Sequence, residues 1–119
     1  MGFVKVKATV SNVYEPKRQA DLDFIADTGA IYTIVNRKQL ENLKIKPTGK
    51  RQFKIADGKA IVREVGIAQI EINKEITHSI IVFGEPEDAQ VLGVTTLEEL
   101  GLQVDPVNGQ LKPLELLLL

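Results

Sequence analysis

Apolar and polar residues alternate near the start of the chain. Val4, Val6, Ala8 and Val10 are interleaved with Lys5, Lys7 and Thr9, the period of two expected of a strand with one buried face. Residues 16–19 read as a connection, after which the largely apolar 22–26 predicts a second strand and 31–35 a third, with a tight turn at Asp27-Thr28-Gly29-Ala30 between them. Asn36 followed by Gln39 has the spacing of a helix start, and Leu40 and Leu43 extend it as a short helical turn. Phe53-Lys54-Ile55 and Ala60-Ile61-Val62 flank Asp57-Gly58-Lys59, which places a hairpin tip near Gly58. Residues 65–72 and 76–83 form another strand pair around Asn73-Lys74, followed by an acidic loop over 84–88. Val91-Leu92-Gly93 is a short apolar strand. It leads into Thr95-Thr96-Leu97-Glu98, whose Thr-x-x-Glu spacing is that of a capping box, for a helix that runs to Leu100 and stops at Gly101. Residues 102–104 and 110–112 bracket a last turn containing Asn108-Gly109. Many short strands, one or two short helices and no linker predict a compact all-β domain.

Composition narrows the function. A chain of 119 residues, 44% hydrophobic and 26% charged, has the character of one soluble globular domain, expected over residues 1–113 with a leucine-rich tail at 114–119. A formal net charge of −1 gives no electrostatic reason to expect nucleic acid or an anionic membrane as partner, and the locally basic 44–51 reads as a solvated face. The absence of cysteine excludes disulfides and thiol catalysis. A single histidine, His78, argues against a protein-built zinc site and a serine-type triad, and its strand setting predicts a packed or edge histidine. Glu85, Glu87 and Asp88 could contact a cation but read as a solvated loop, so neither metal nor cofactor is expected. Lys5 and Lys7 interrupt any signal-peptide core, Val6 replaces the hydroxyl residue that myristoylation of Gly2 needs, and no stretch approaches the length of a membrane span. A cytoplasmic protein is the expectation.

Asp27 carries the candidate chemistry. Placed in a turn between two apolar stretches, its carboxylate costs several kcal/mol to bury unless a charge, a proton or a hydrogen-bond donor compensates, and such sites tend to be functional. The alternative is a plain Asp-Thr-Gly turn, since Asp and Gly are common turn residues. Chance alone puts this tripeptide in roughly 2% of chains of this size, and an apolar frame on both sides makes the coincidence rarer still.

Phe24-Ile25-Ala26-Asp27-Thr28-Gly29-Ala30, the hairpin at Ala56-Asp57-Gly58 and Val91-Leu92-Gly93 occur in an order that resembles the retropepsin-like aspartic proteases, over about residues 4–113. The resemblance implies a closed acid-protease β fold with one or two short helices. It also implies an aspartic endopeptidase in which a homodimer brings two copies of Asp27 together, since one chain supplies only one Asp-Thr-Gly. Two close carboxylates share one proton and offer a base and an acid at once, so a water can be activated without a covalent intermediate. Thr28 is then expected to hydrogen-bond across the two-fold axis, and Gly29 to admit close approach of the substrate backbone. Ala30, Ile31, Tyr32, Val94 and the flap residues Ala56, Asp57 and Gly58 are the implied contacts to an extended peptide. The C-terminal hairpin and tail, leucine-rich at the end of 112–119, are assigned to the dimer contact, against the alternative that 114–119 is an expression-derived or disordered tail. Ile31 stands where many family members carry Ser or Asp, and Val94 where a polar residue is common. Both departures motivate a second reading, a dimeric binding or assembly module with little or no catalysis.

Overall fold

In the computed structural model, which describes residues 4–119, strand pairing closes on itself. The elements in chain order are β1 (Val4–Ser11), β2 (Gln19–Ala26), β3 (Thr33–Asn36), α1 (Arg37–Asn42), β4 (Gly49–Lys54), β5 (Ala60–Ile72), β6 (Glu75–Gly84), β7 (Val91–Leu92), α2 (Val94–Glu99), β8 (Leu102–Asp105) and β9 (Gln110–Pro113). The main sheet has the order β1-β2-β7-β3-β6-β5-β4, and β1 also pairs with β5 through Thr9↔Glu71, Val10↔Ile70 and Ser11↔Gln69. Six strands therefore form a closed ring, with β4 as an outer edge and β8–β9 as a separate hairpin. Closure protects edges that would otherwise be open to intermolecular pairing. The sequence reading at Met1 and Gly2 lies outside the described residues.

The alternating pattern places Val4, Ala8 and Val10 in the core beside Phe24, Phe83, Ile70 and Ile81, and α1 and α2 add Leu40 and Leu97. Turn chemistry fixes the registers. Asn73 and Lys74 both have positive φ, 52° and 70°, as a two-residue hairpin between Ile72 and Glu75 requires. Gly58 and Gly109, at 87° and 66°, occupy the left-handed positions of their hairpins, and Gly101 at 71° stops α2.

Several expectations shift. The third strand starts at Thr33 rather than Ile31, because the carbonyls of Ala30 and Ile31 are drawn to the first amides of α2 instead of a neighbouring strand. Gln19 belongs to β2, paired with Ser11. The two runs 60–62 and 65–72 are one 13-residue strand, and 49–51 of the basic stretch is the start of β4, though it remains exposed. The capping box does not form. Gly93 is the N-cap of α2 and gives no side-chain cap, so Thr95 and Thr96 fall inside the helix. In α1, Asn36 caps through its side chain to the Lys38 amide, while its own amide donates to Gln90 Oε1 rather than to Gln39. His78 is exposed rather than packed, its Nε2 lying 3.1 Å from Gln69 Oε1 across the β5–β6 hairpin. Among the described residues no helix is long and apolar enough to cross a membrane.

Candidate active site

The loop from 27 to 32 sits where β2 leaves the sheet. Asp27 N–H donates to the carbonyl of Leu92 on β7 at 3.0 Å, and Ala30 N–H donates back to the Asp27 carbonyl at 3.1 Å. The Asp27 carboxylate accepts from Gly29 N–H at 2.8 Å. It is half-buried, with Thr28 and Gly29 exposed beside it, so the burial inferred from its apolar frame is only partly realised within one chain. A Cβ on Gly29 would lie 3.2 Å from Asp27 Oδ1, pressing on that carboxylate.

The underside of the loop is tied down more heavily. Val94 and Thr95 N–H groups donate to the carbonyls of Ala30 and Ile31 at 2.8 and 3.1 Å. Gly93 N–H donates to Thr33 Oγ1 at 3.0 Å, and the Thr33, Thr96 and Ser79 hydroxyls form a buried chain with contacts of 2.6 and 2.8 Å. The backbones cross so closely that a Cβ at Gly93 would stand 2.5 Å from the Tyr32 carbonyl carbon. The sequence pattern assigns Thr33, Thr96 and Ser79 no role at this site, although Thr96 lies within the Thr95-Thr96-Leu97-Glu98 segment. The available signal was hydroxyl residues at inward-facing positions, where each needs a partner.

A cavity of about 560 Å³ opens beside the loop. One wall is Gly29, Ala30, Ile31 and Tyr32, the opposite wall is the flap hairpin through Arg51, Phe53, Ile55 and Ile61, and Val82 and Asp88 are among the residues that complete it. The four loop residues expected to meet substrate are thus together. Asp27 and Thr28 lie next to this wall in the chain without lining the cavity. Ala56, Asp57 and Gly58 form the exposed tip of the flap, outside the lining. That tip is a three-residue loop closed by Ile55 N–H to Lys59 O at 3.0 Å and Gly58 N–H to Ile55 O at 2.9 Å. Val94 does not line the cavity; it occupies the first turn of α2, where its amide holds the loop.

Arginines organise the far wall. Arg51 places its guanidinium 5.3 Å from the Tyr32 ring centre and donates to Tyr32 Oη, while Phe53 meets the same ring edge-on at 6.2 Å. Arg63 binds Asp88 in a fork, Nε to Oδ2 at 2.7 Å and Nη2 to Oδ1 at 3.0 Å, with Glu87 at 3.6 Å. The hydrogen bond to Arg63 holds the Asp88 carboxyl below the usual carboxylate range, helped by the Glu85 amide, and the same pair raises Arg63. Arg37 bridges Glu64 at 2.8 Å and Glu85 at 3.3 Å. Burial opposes its charge, but hydrogen bonds to the two glutamates outweigh that and raise it. The acidic loop 84–88 is therefore anchored by two arginines through Glu85 and Asp88 rather than simply solvated, though Glu87 stays exposed. Among the described residues no group of three or more His, Cys, Asp or Glu could hold a metal ion.

The family model described as "gag-polyprotein putative aspartyl protease" matches residues 18–99. No curated protein matches the sequence. Among solved structures, EIAV protease complexed with the inhibitor HBY-793 superposes with a TM-score of 0.66 at 13% identity, over 87% of this chain and 93% of that one. A retropepsin-like aspartic protease from Rickettsia conorii gives 0.60 at 21% identity, over 87% and 77% of the two chains. The simian foamy virus (mac) protease gives 0.57 at 17% identity, over 79% and 91%. At these identities the likeness is one of fold.

Proposed function

The chain belongs to the aspartyl proteases of the gag-polyprotein family and has the retropepsin-like fold, and from that premise we propose that it is an aspartic endopeptidase which hydrolyses extended polypeptides as a homodimer. The observation that carries this reading is the state of Asp27. Its backbone is fixed from behind by β7 while its carboxylate stays half-open next to a peptide-sized cleft. A second copy on a two-fold axis supplies the missing carboxylate. One Asp27 takes a proton from water as general base, and the other, protonated, donates to the peptide carbonyl. Thr28, exposed at the tip of the turn, bridges to its symmetry mate and holds the two turns in register. The flap closes over the peptide and excludes bulk water, which strengthens the electrostatics at the dyad.

The C-terminal hairpin and tail form part of the dimer contact. Leu114 N–H is tied to the Gly101 carbonyl at 2.8 Å, after which Leu116 and Leu117 are 66% and 76% exposed, an apolar run that a second copy would cover. A second reading, a protease-like binding module, is favoured by Ile31, which is 63% exposed at the cleft.

Cleavage of a mixed peptide library across protein concentration separates the two. Activity per mole should rise with concentration as half-sites associate, and Asp27→Asn should lower kcat/KM by about 10³-fold or more. Peptide binding with no cleavage at any concentration would overturn the endopeptidase in favour of the binding module, and an Asn variant as active as the wild type would overturn Asp27 as the catalyst.

A further inference from the structure

Strand alternation and register put Arg51 and Arg63 directly opposite one another on the cleft-facing side of the flap hairpin, with Phe53 and Ile61 as the next pair along. Like charges opposite each other in an antiparallel pair repel, so such a pair persists where anions attend it. Arg63 has its anions: Asp88 binds it in a fork and Glu87 lies 3.6 Å away. Arg51 has none among the described residues. Its partners are the neutral hydroxyl and ring face of Tyr32, which hold the guanidinium above the cavity. Asp88, the one carboxylate in the lining among the described residues, is already committed to Arg63 and to the Glu85 amide at 2.8 Å.

We propose that Arg51 is a specificity-determining residue, selecting peptides that present an acidic side chain to the pocket between the flap strand β4 and Tyr32. Of the other lining residues, Ile31, Ile34, Phe53 and Ile61 take apolar neighbours of that residue, while Gln52 and Lys54, on the opposite face of β4 from Arg51 by strand alternation, also border the cavity. The chemistry is a carboxylate received by the planar fork of Arg51, a bidentate charge-assisted pair that lysine or a neutral amide on the peptide cannot make. Tyr32 acts as a positioning residue, keeping the fork aimed into the cleft before substrate arrives.

The inference rests on the reading of this cleft as a peptide site, and a binding measurement keeps the two separable. Capped peptides, acetylated and amidated so that only side-chain carboxylates are present, would carry Glu, Gln or Lys at each position in turn. Their affinity is read by fluorescence anisotropy with the Asp27→Asn protein, and kcat/KM with the wild type. At one position Glu should bind at least about tenfold more tightly than Lys, with a ratio that shrinks as salt is raised. Arg51→Gln should bring that ratio near one, and Arg51→Glu should invert it. Lys50→Glu, the same charge change on the opposite face of β4, should leave the ratio as it was. Equal binding of Glu and Lys peptides at every position, no binding of any peptide, or a preference that survives Arg51→Glu would each overturn the assignment. Glu-selective binding without cleavage by the wild type would instead remove the endopeptidase reading and leave Arg51 as the selector.

Discussion

Across the cleft, the loop 27–32 and the flap tip 55–59 stand on different supports. Behind the loop lie three backbone amides from the β7–α2 junction, a buried chain of three hydroxyls and a backbone crossing with no room for a methyl group. Among the described residues the flap tip has only its own turn: two backbone bonds and the Asp57 carboxylate accepting from Lys59 N–H at 2.8 Å. The difference fits what the proposed function asks of each wall. A reacting carboxylate has to be held in place before substrate binds, since misplacement by an ångström forfeits much of the rate. A flap that admits a peptide has to open, and segments with few tertiary ties open at low free energy.

Gly93→Ala is the harshest way to break the fixed wall. The new Cβ would lie 2.5 Å from the Tyr32 carbonyl carbon and 2.6 Å from the Ile31 carbonyl oxygen, and backbone atoms cannot swing aside as a side chain can. The expected cost is about 3 kcal/mol or more, seen as a fall of about 10 °C in thermal midpoint. A midpoint unchanged within about 2 °C would mean the crossing is looser than described.

Thr96→Val removes the middle hydroxyl of the buried chain at nearly constant volume. Thr33 and Ser79 each lose their contact to it, Thr33 keeping the Gly93 amide as donor and Ser79 only a long 3.5 Å contact to the Ile80 carbonyl. Denaturant unfolding should register a loss of about 2 kcal/mol, because unsatisfied buried hydroxyls retain their desolvation penalty. A loss no larger than that of a surface substitution would separate this network from the loop it underlies.

These two positions also mark where the sequence became hard to read. Strand alternation and turn residues are local, so Val4 to Val10, the Asn73-Lys74 turn and the glycines at 58, 101 and 109 could be recognised and were found in their expected conformations. The Asp27 turn was legible for the same reason, as a short motif in an apolar frame. Gly93 is legible in the sequence as the end of an apolar strand and as part of a motif that carries the resemblance, whereas its physical role depends on Tyr32, about sixty residues away in the chain. The capping-box reading failed for a related cause: distant carbonyls at Ala30 and Ile31 engage the first amides of α2 and set its start at Val94. Arg51 looked like one charge of a solvated stretch, because nothing short of the β4–β5 register places it opposite Arg63 and over Tyr32.

Between the two walls, Arg63 and Asp88 join flap strand β5 to the loop 84–88, and pH tests that join. Their side chains are 15% and 19% exposed, and Arg63→Ala should cost about 1.5 kcal/mol at neutral pH. Asp88 has its folded-state pKa lowered, so its contribution is complete above the unfolded carboxylate value and is lost as pH falls through the folded value. The stability gap between wild type and Arg63→Ala should therefore be flat near neutrality and close at pH below about 4. A gap that is constant down to strongly acidic pH would assign the effect to Arg63 packing rather than to its charge.

The mildest test lies at the flap tip. Gly58 has φ of 87°, and a Cβ placed there meets nothing within 4 Å among the described residues, so Gly58→Ala introduces no clash and isolates the backbone term. Left-handed conformation in an L-residue costs about 1 kcal/mol. Because the tip has so few ties to the rest of the molecule, that strain should be relieved locally. Hydrogen exchange should quicken at the amides of Ile55, Gly58 and Lys59, which close the turn, while the Asp27 and Val94 amides behind the loop keep their protection. If exchange instead quickened equally at Asp27 and Val94, the two walls would be opening as one unit, and the separation of a rigid Asp27 loop from an independently opening hairpin tip would not hold.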